Sequence, residues 1–142
     1  AVGVHSVLPA GAANDVVSAM AAMRAGPAAP RSPSAGPVPP TIVFHGDADT
    51  TVHARNGAAV VDAARIARAS PALAATAPVT QHGATCVAYA EPGKPSQVEY
   101  WQLHGAGHAW SGGSAHGSYT NPGGVDASAH MLRFFMQHRR AG

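Results

Sequence analysis

The sequence predicts an α/β fold in which a mostly parallel sheet is flanked by helices, and three observations favour this class. Short apolar segments alternate with segments of helical periodicity, a pattern typical of parallel sheets with crossover helices. The segment TIVFH, residues 41–45, is apolar and rich in β-branched residues, as expected for a strand buried on both faces. The 142 residues, 46% apolar and 11% charged, suffice for one globular domain.

The chain is predicted to begin with a strand and a helix. Residues 2–7 alternate as a strand does, and ANDVVSAMAAMRAG then has apolar residues at helical spacing. Asn14 or Asp15 is expected to cap this helix and Gly26 to end it. Residues 26–40 are rich in proline, and we expect a surface loop there because the flanking segments are too short to be separate domains.

The remaining elements follow the strand at 41–45. A helix is predicted from about Ala54 to Ala69. Two strand-like segments, 84–90 and 97–103, then flank EPGKPSQ, whose Pro-Gly pair indicates a turn. The last predicted element is an amphipathic helix from about Asp126 to His138.

Composition argues against several classes of function. The net charge of +2 is too small to suggest nucleic-acid binding, and no stretch approaches the ~18 apolar residues of a membrane span. Cys86 is the only cysteine, so an internal disulfide cannot form. Because the sequence opens within an apparent strand, we expect it to be a fragment or processed piece of a protein whose beginning lies upstream.

Two polar motifs each follow a predicted strand. HGDADTTV occupies residues 45–52, and GAGHAWSGG occupies residues 105–113. Functional groups of open α/β sheets collect beyond the carboxyl ends of the strands, so Asp49 and His108 are expected to lie close together. An aspartate that accepts the proton of one imidazole nitrogen leaves the other nitrogen free to deprotonate a nucleophile. The order of acid before histidine is that of α/β-hydrolase triads.

These motifs resemble those of a known enzyme family. HGDADTTV fits the His-Gly-x-x-Asp-x-x-Val signature of α/β-hydrolases. VEYWQLHGAGHAWSGG and GSYTNPGGVDASAHMLRFFMQH closely resemble the C-terminal end of the poly(3-hydroxybutyrate) depolymerase family of esterases, which includes feruloyl and acetylxylan esterases. AVGVHSVLPAGAANDVVSAMAAMRAG resembles the segment that follows the nucleophile helix in that family, so the resemblance covers nearly the whole chain.

The resemblance implies roles for four residues. Asp49 would be the triad acid, His108 the general base, Trp110 a residue beside the substrate groove, and Asp47 a turn residue. The nucleophile of the family is a serine within Gly-x-Ser-x-Gly, which this sequence lacks. Three serines have incomplete surroundings: Ser111 and Ser114 each lack one of the flanking glycines, and Ser6 lacks both.

The expected protein is therefore a secreted bacterial serine esterase that acts on a polyester or a plant cell-wall ester. Residues 1–142 would be the C-terminal part of its single α/β-hydrolase catalytic domain, truncated at the N-terminal side. No metal or organic cofactor is expected. The chain alone is predicted to be inactive, because the nucleophile and the oxyanion hole would lie outside it.

Two other interpretations stay open. The first is a histidine-rich metal-binding module built on His104, His108 and His116, although the glycines between the first two argue against a helical metal pair. The second is a peptidase or a dienelactone-type hydrolase, which the Trp-Ser-Gly-Gly continuation disfavours. His45 is predicted to be a buried, hydrogen-bonded histidine that shapes its loop.

Overall fold

The computed structural model describes residues 1–28, 38–68 and 70–139. Within these ranges the main sheet has six strands in the order β1-β2-β6-β5-β3, with β4 also paired to β5, while β7 and β8 form a separate two-stranded sheet. The strands are β1 (Val2–His5), β2 (Thr41–Gly46), β3 (Ala74–Ala75), β4 (Val79–Gln81), β5 (Ala84–Ala90), β6 (Val98–Leu103), β7 (Trp110–Ser111) and β8 (Thr120–Asn121). The helices are α1 (Val16–Ala25), α2 (Arg55–Ile66) and α3 (Ala127–Gln137).

The prediction of a mostly parallel sheet flanked by helices, as the C-terminal part of a truncated α/β-hydrolase fold, was wrong. The main sheet is mixed: β1, β2 and β6 run parallel, whereas β5 is antiparallel to β6, and β3 and β4 are antiparallel to β5. Only residues 91–97 connect β5 to β6, and a parallel pair needs a crossover of about a dozen residues or more. A hairpin was therefore the only connection available to these two strands.

The parallel half of the sheet brings two loops together. All six residues of β2 are buried, which confirms the predicted burial on both faces. This strand lies between β1 and β6, and Gly46 at its carboxyl end is in register with Leu103 at the end of β6. Because the two strands are parallel neighbours, the loops that follow them leave the same edge of the sheet.

Two apolar clusters cover the two faces of β2. Alternate strand residues point to opposite faces, so Phe44 belongs to one cluster and Val43 to the other. The larger cluster joins the sheet to Met131 and Phe134 of α3, and the smaller one joins it to Val61 of α2. Helices thus pack on both sides of the parallel strands.

The helices end close to where the sequence predicts. Asp15 caps α1 by accepting a hydrogen bond from the Ser18 N–H, and Gly26 ends that helix at φ +89°. Asp126 caps α3 in the same way. The helix predicted over 54–69 is shorter, Arg55–Ile66.

Four strands were not predicted from the sequence, and one predicted loop lies mostly outside the described residues. The short strands β3, β4, β7 and β8 had no predicted counterpart. Most of the predicted proline-rich loop, residues 29–37, lies outside the described residues. None of the helices in the described ranges has the length and apolar character needed to cross a membrane.

Candidate active site

Asp49 lies in the tight turn after β2, and the backbone of that turn holds its carboxylate. One oxygen, Oδ1, accepts hydrogen bonds from the N–H groups of Thr51 at 2.9 Å and Val52 at 2.8 Å. The side chain is fully buried. Burial opposes ionisation, but the hydrogen bonds from Val52, His108 and Thr51 outweigh it and hold the pKa of Asp49 below its usual value. The carboxylate is therefore negative at neutral pH.

His108 lies in the loop after β6 and is bonded to that carboxylate. Its Nδ1 is 2.9 Å from Oδ2 of Asp49. Since an ionised carboxylate only accepts hydrogen bonds, Nδ1 carries the proton. In the neutral ring Nε2 then has a free lone pair, and the side chain is 39% exposed. The structure thus brings together the two residues that the sequence analysis paired, with the tautomer that a general base requires.

His45, the last residue but one of β2, contacts the loop after β2 that carries Asp49, residues 47–52, here called the acid loop. It is buried, and its Nε2 donates to the Val52 carbonyl at 2.7 Å while lying 3.6 Å from Oδ2 of Asp49. Gly57 of α2 leaves room for this ring, because a Cβ there would lie 2.6 Å from Nδ1 of His45. The prediction that His45 is a buried, loop-shaping histidine is confirmed.

Glycine at position 46 allows a second loop to approach the acid loop. This second loop, residues 104–109 after β6, carries His108 and is here called the base loop. A Cβ at Gly46 would lie only 2.1 Å from the carbonyl oxygen of Ala106. That same oxygen accepts the Ala48 N–H at 3.2 Å, which ties the two loops together. Gly105 has a left-handed φ of +66°, as expected for a sharp turn before His108, whereas Gly107 is not in the left-handed region.

Asp47 forms a second link between the two loops. Its Oδ1 accepts the Gly105 N–H at 2.7 Å, and its Oδ2 lies 3.1 Å from Nδ1 of His104. Nε2 of His104 in turn lies 2.8 Å from the Thr85 hydroxyl. The hydrogen bond from His104 is the main cause that lowers the pKa of Asp47. Asp47 is therefore a cross-link between loops as well as a turn residue.

In the described residues, the three histidines of the metal-module interpretation do not form a cluster of possible metal ligands. His104 is bonded to Asp47 and His108 to Asp49, and His116 is an exposed loop residue. Nowhere in residues 1–28, 38–68 and 70–139 do three His, Cys, Asp or Glu side chains come close enough to hold a metal ion. The arrangement of these residues gives the metal-module interpretation no support.

An open groove of about 570 Å³ borders His108. Its walls include Trp110 and Tyr119 on the base-loop side and Ser6 and Thr51 on the other loops. Trp110 is 37% exposed, and its ring stacks on that of His5 with the centroids 5.0 Å apart. The residue expected beside the substrate groove thus does line a groove next to the candidate base.

Sequence analysis missed the contribution of β1 to this groove. His5 ends β1, its ring stacks on both Phe44 and Trp110, and its Nε2 accepts the Ser111 N–H at 3.1 Å. Burial is the main cause that lowers the pKa of His5 to about 4. His5 lies within the predicted strand 2–7, two residues before its predicted end, and nearness to the carboxyl end of a strand is the signal that could have found it.

No protein-family model matches the chain, and no curated protein has a significantly similar sequence. Membership of the depolymerase family therefore stays a prediction that rests on the motifs themselves. The geometry of Asp49, His108 and the groove beside them is therefore the basis for a functional proposal.

Proposed function

We propose that this chain carries the acid and the general base of a serine-type carboxylic ester hydrolase. The observation that carries the proposal is the 2.9 Å hydrogen bond between the buried, ionised Asp49 and Nδ1 of His108. A carboxylate fixed by two backbone N–H groups orients the imidazole, and the imidazole borders a groove large enough for a small ester. This is the arrangement that acyl-transfer enzymes use to activate a hydroxyl nucleophile.

In the proposed reaction, Nε2 of His108 takes the proton of a serine hydroxyl as the serine oxygen bonds to the ester carbonyl carbon. The negative charge of Asp49 stabilises the resulting imidazolium. His108 then returns the proton to the departing alkoxide oxygen as the carbon–oxygen bond breaks, which leaves an acyl-enzyme and a free alcohol. A water molecule, deprotonated by His108 in the same way, attacks the acyl carbon, and the carboxylic acid leaves as serine regains its proton.

The proposal requires a nucleophilic serine hydrogen-bonded to His108, and the described residues provide none. The sequence contains no Gly-x-Ser-x-Gly motif, and in the part of the chain that the structure describes no serine hydroxyl is hydrogen-bonded to His108. We therefore propose that the nucleophile and the oxyanion donors are supplied from outside these 142 residues. The motif resemblance favours a polyester or a plant cell-wall ester as substrate, and an extracellular location in a bacterium.

The test compares two aspartates that are two positions apart. The protein is expressed from its complete reading frame and assayed with 4-nitrophenyl butyrate. His108→Ala and Asp49→Asn are each expected to lower kcat by about 10³–10⁴-fold, because one removes the base and the other leaves it in the wrong tautomer. Asp47→Asn, the matched control, should cost less than about tenfold, since it alters only a link between loops.

Two results would contradict the proposal. A damaging Asp47→Asn together with a mild Asp49→Asn would mean that the acid is misassigned. Full turnover in His108→Ala would mean that His108 is not the base, whatever the effect of the aspartate variants. Circular dichroism spectra of all three variants, compared with the unsubstituted protein, separate a loss of catalysis from a loss of folding.

A further inference from the structure

Backbone strain in the described residues is found at the cavity walls. Outside glycine, positive φ values occur in these residues at Ser6 (+50°), His82 (+45°) and Tyr119 (+61°). Ser6 and Tyr119 line the groove beside His108, and His82 lines a smaller cavity of about 210 Å³. Residues other than glycine rarely adopt this conformation. At His82 it belongs to the two-residue turn between β4 and β5, where positive φ is ordinary, whereas Ser6 follows β1 at the wall of the groove. Ser6 is of particular interest because its hydroxyl belongs to a hydrogen-bond chain with a defined direction.

The donors and acceptors in this hydrogen-bond chain, which runs from Ser111 through His5 to Ser6, follow from its first donor. The Ser111 N–H can only donate, so Nε2 of His5 accepts, at 3.1 Å. The low pKa of His5, about 4, keeps the ring neutral at pH 7, and its single proton must then be on Nδ1. Nδ1 lies 3.1 Å from the Ser6 hydroxyl oxygen and so donates to it. The Ser6 oxygen is therefore an acceptor in this bond, and its own proton is left to donate elsewhere.

No group in the described parts of the chain accepts that proton. The only hydrogen bond of the Ser6 side chain within these ranges is the one from His5, and the Ser6 N–H is already bonded to the Phe44 carbonyl at 3.0 Å. The backbone is therefore held in place, and Ser6 lines the same groove as His108 and Trp110. A free O–H on the wall of a groove is suited to bind a ligand oxygen.

We propose that Ser6 is a ligand-binding residue of this groove and that its hydroxyl donates a hydrogen bond to an uncharged carbonyl oxygen, such as that of an ester or a ketone. Only one part of this proposal rests on the proposed esterase function, namely that the natural ligand is an ester. Because His5 donates this hydrogen bond to Ser6, His5 is not placed to activate Ser6 as a nucleophile. A general base must accept the serine proton, and Nδ1 of His5 already carries one.

Two uncharged probes separate a polar contact from an apolar one. Acetophenone has an aromatic ring with a carbonyl oxygen, and toluene has the ring without the oxygen. Binding is followed in the protein expressed from its complete reading frame, by titration of the indole N–H resonance of Trp110, which is assigned by its loss in Trp110→Phe. Both probes should shift this resonance, because Trp110 lines the groove.

Substitution of Ser6 should affect the probes differently. Ser6→Ala is expected to weaken acetophenone binding about two- to tenfold, the range for one uncharged hydrogen bond, and to leave toluene binding unchanged. Ser6→Asn should restore part of the loss, since asparagine tolerates a positive φ and supplies an amide donor. Ser128→Ala, an exposed serine of α3, is the matched control and should change neither affinity.

The outcomes are distinguishable from those of the hydrolysis assay. Failure of both probes to bind would overturn the assignment of the groove, and so would equal effects of Ser6→Ala on the two probes. Selective loss of acetophenone binding would support Ser6 as the donor even if no ester were hydrolysed. In that case the proposed esterase function would fail while the binding role of Ser6 would stand.

Discussion

Gly46→Ala tests whether close approach of the two loops sets the geometry of the candidate site. The new methyl carbon would lie 2.1 Å from the Ala106 carbonyl oxygen, whereas Cβ atoms essentially never come within 3.0 Å of such an atom. The base loop would have to retreat by about 0.9 Å. If that movement lengthened the 2.9 Å bond between His108 and Asp49 in full, the two atoms would be about 3.8 Å apart, beyond hydrogen-bond distance.

The expected consequences are large for activity and moderate for stability. A misplacement of about 1 Å costs roughly 10²-fold in rate, and overpacking of this kind costs about 1–3 kcal/mol of unfolding free energy. Turnover of 4-nitrophenyl butyrate and urea unfolding measure the two effects in the protein expressed from its complete reading frame.

The control lies in the same loop. Gly107 has no atom within 4 Å of the Cβ position and is not in the left-handed region, so Gly107→Ala should cause neither effect. If Gly46→Ala kept more than half of the turnover, or if Gly107→Ala were equally damaging, the close approach at Gly46 would not be what sets the site.

Two further predictions concern buried groups outside the site. Arg133→Ala should cost about 2 kcal/mol in urea unfolding, because it leaves the Glu99 carboxylate buried without its cation; the figure is below the usual 3–5 kcal/mol since Arg133 is 40% exposed. Lys94→Ala is the control, because Lys94 forms an exposed ion pair with Glu91, and it should cost clearly less stability than Arg133→Ala. Equal losses in the two variants would refute the reasoning. Burial raises the pKa of Cys86 from 9.0 to about 12, so iodoacetamide at pH 9 should alkylate the native protein about a hundredfold or more slowly than the urea-unfolded one. Equal alkylation rates in the native and unfolded protein would contradict the burial of Cys86. Because the thiol ionises at lower pH in the unfolded protein than in the native one, the raised pKa also lowers the free energy of unfolding as pH rises from about 9 towards 12.

Local features were predictable because they depend on residues close together in the chain. The cap of α1 at Asp15 and its end at Gly26 follow from side-chain oxygens and backbone freedom within one turn. The burial of β2 follows from its unbroken apolar pattern. Asp49 and His108 could be paired in advance because each follows a strand and the two strands proved to be parallel neighbours.

The sheet as a whole was not predictable in the same way. Alternation of strands and helices suggested a mostly parallel sheet, yet β5 pairs antiparallel with β6 and carries the short strands β3 and β4. Apolar periodicity reports whether a segment is buried and with which repeat, but it does not report which strand becomes its neighbour or in which direction. The short connection over 91–97 held that information, and chain length between strands decides it physically.

The amino-acid sequence by itself determined the limits of α1 and α3, the buried central strand and the presence of an acid and a histidine after two strands. Tertiary structure alone decided that Asp47 pairs with His104, that Ala106 leaves no room for a side chain at Gly46, and that His5 bonds to Ser111. These contacts join residues far apart in the chain. Their distances depend on the order and register of the strands, which no local pattern of residues encodes.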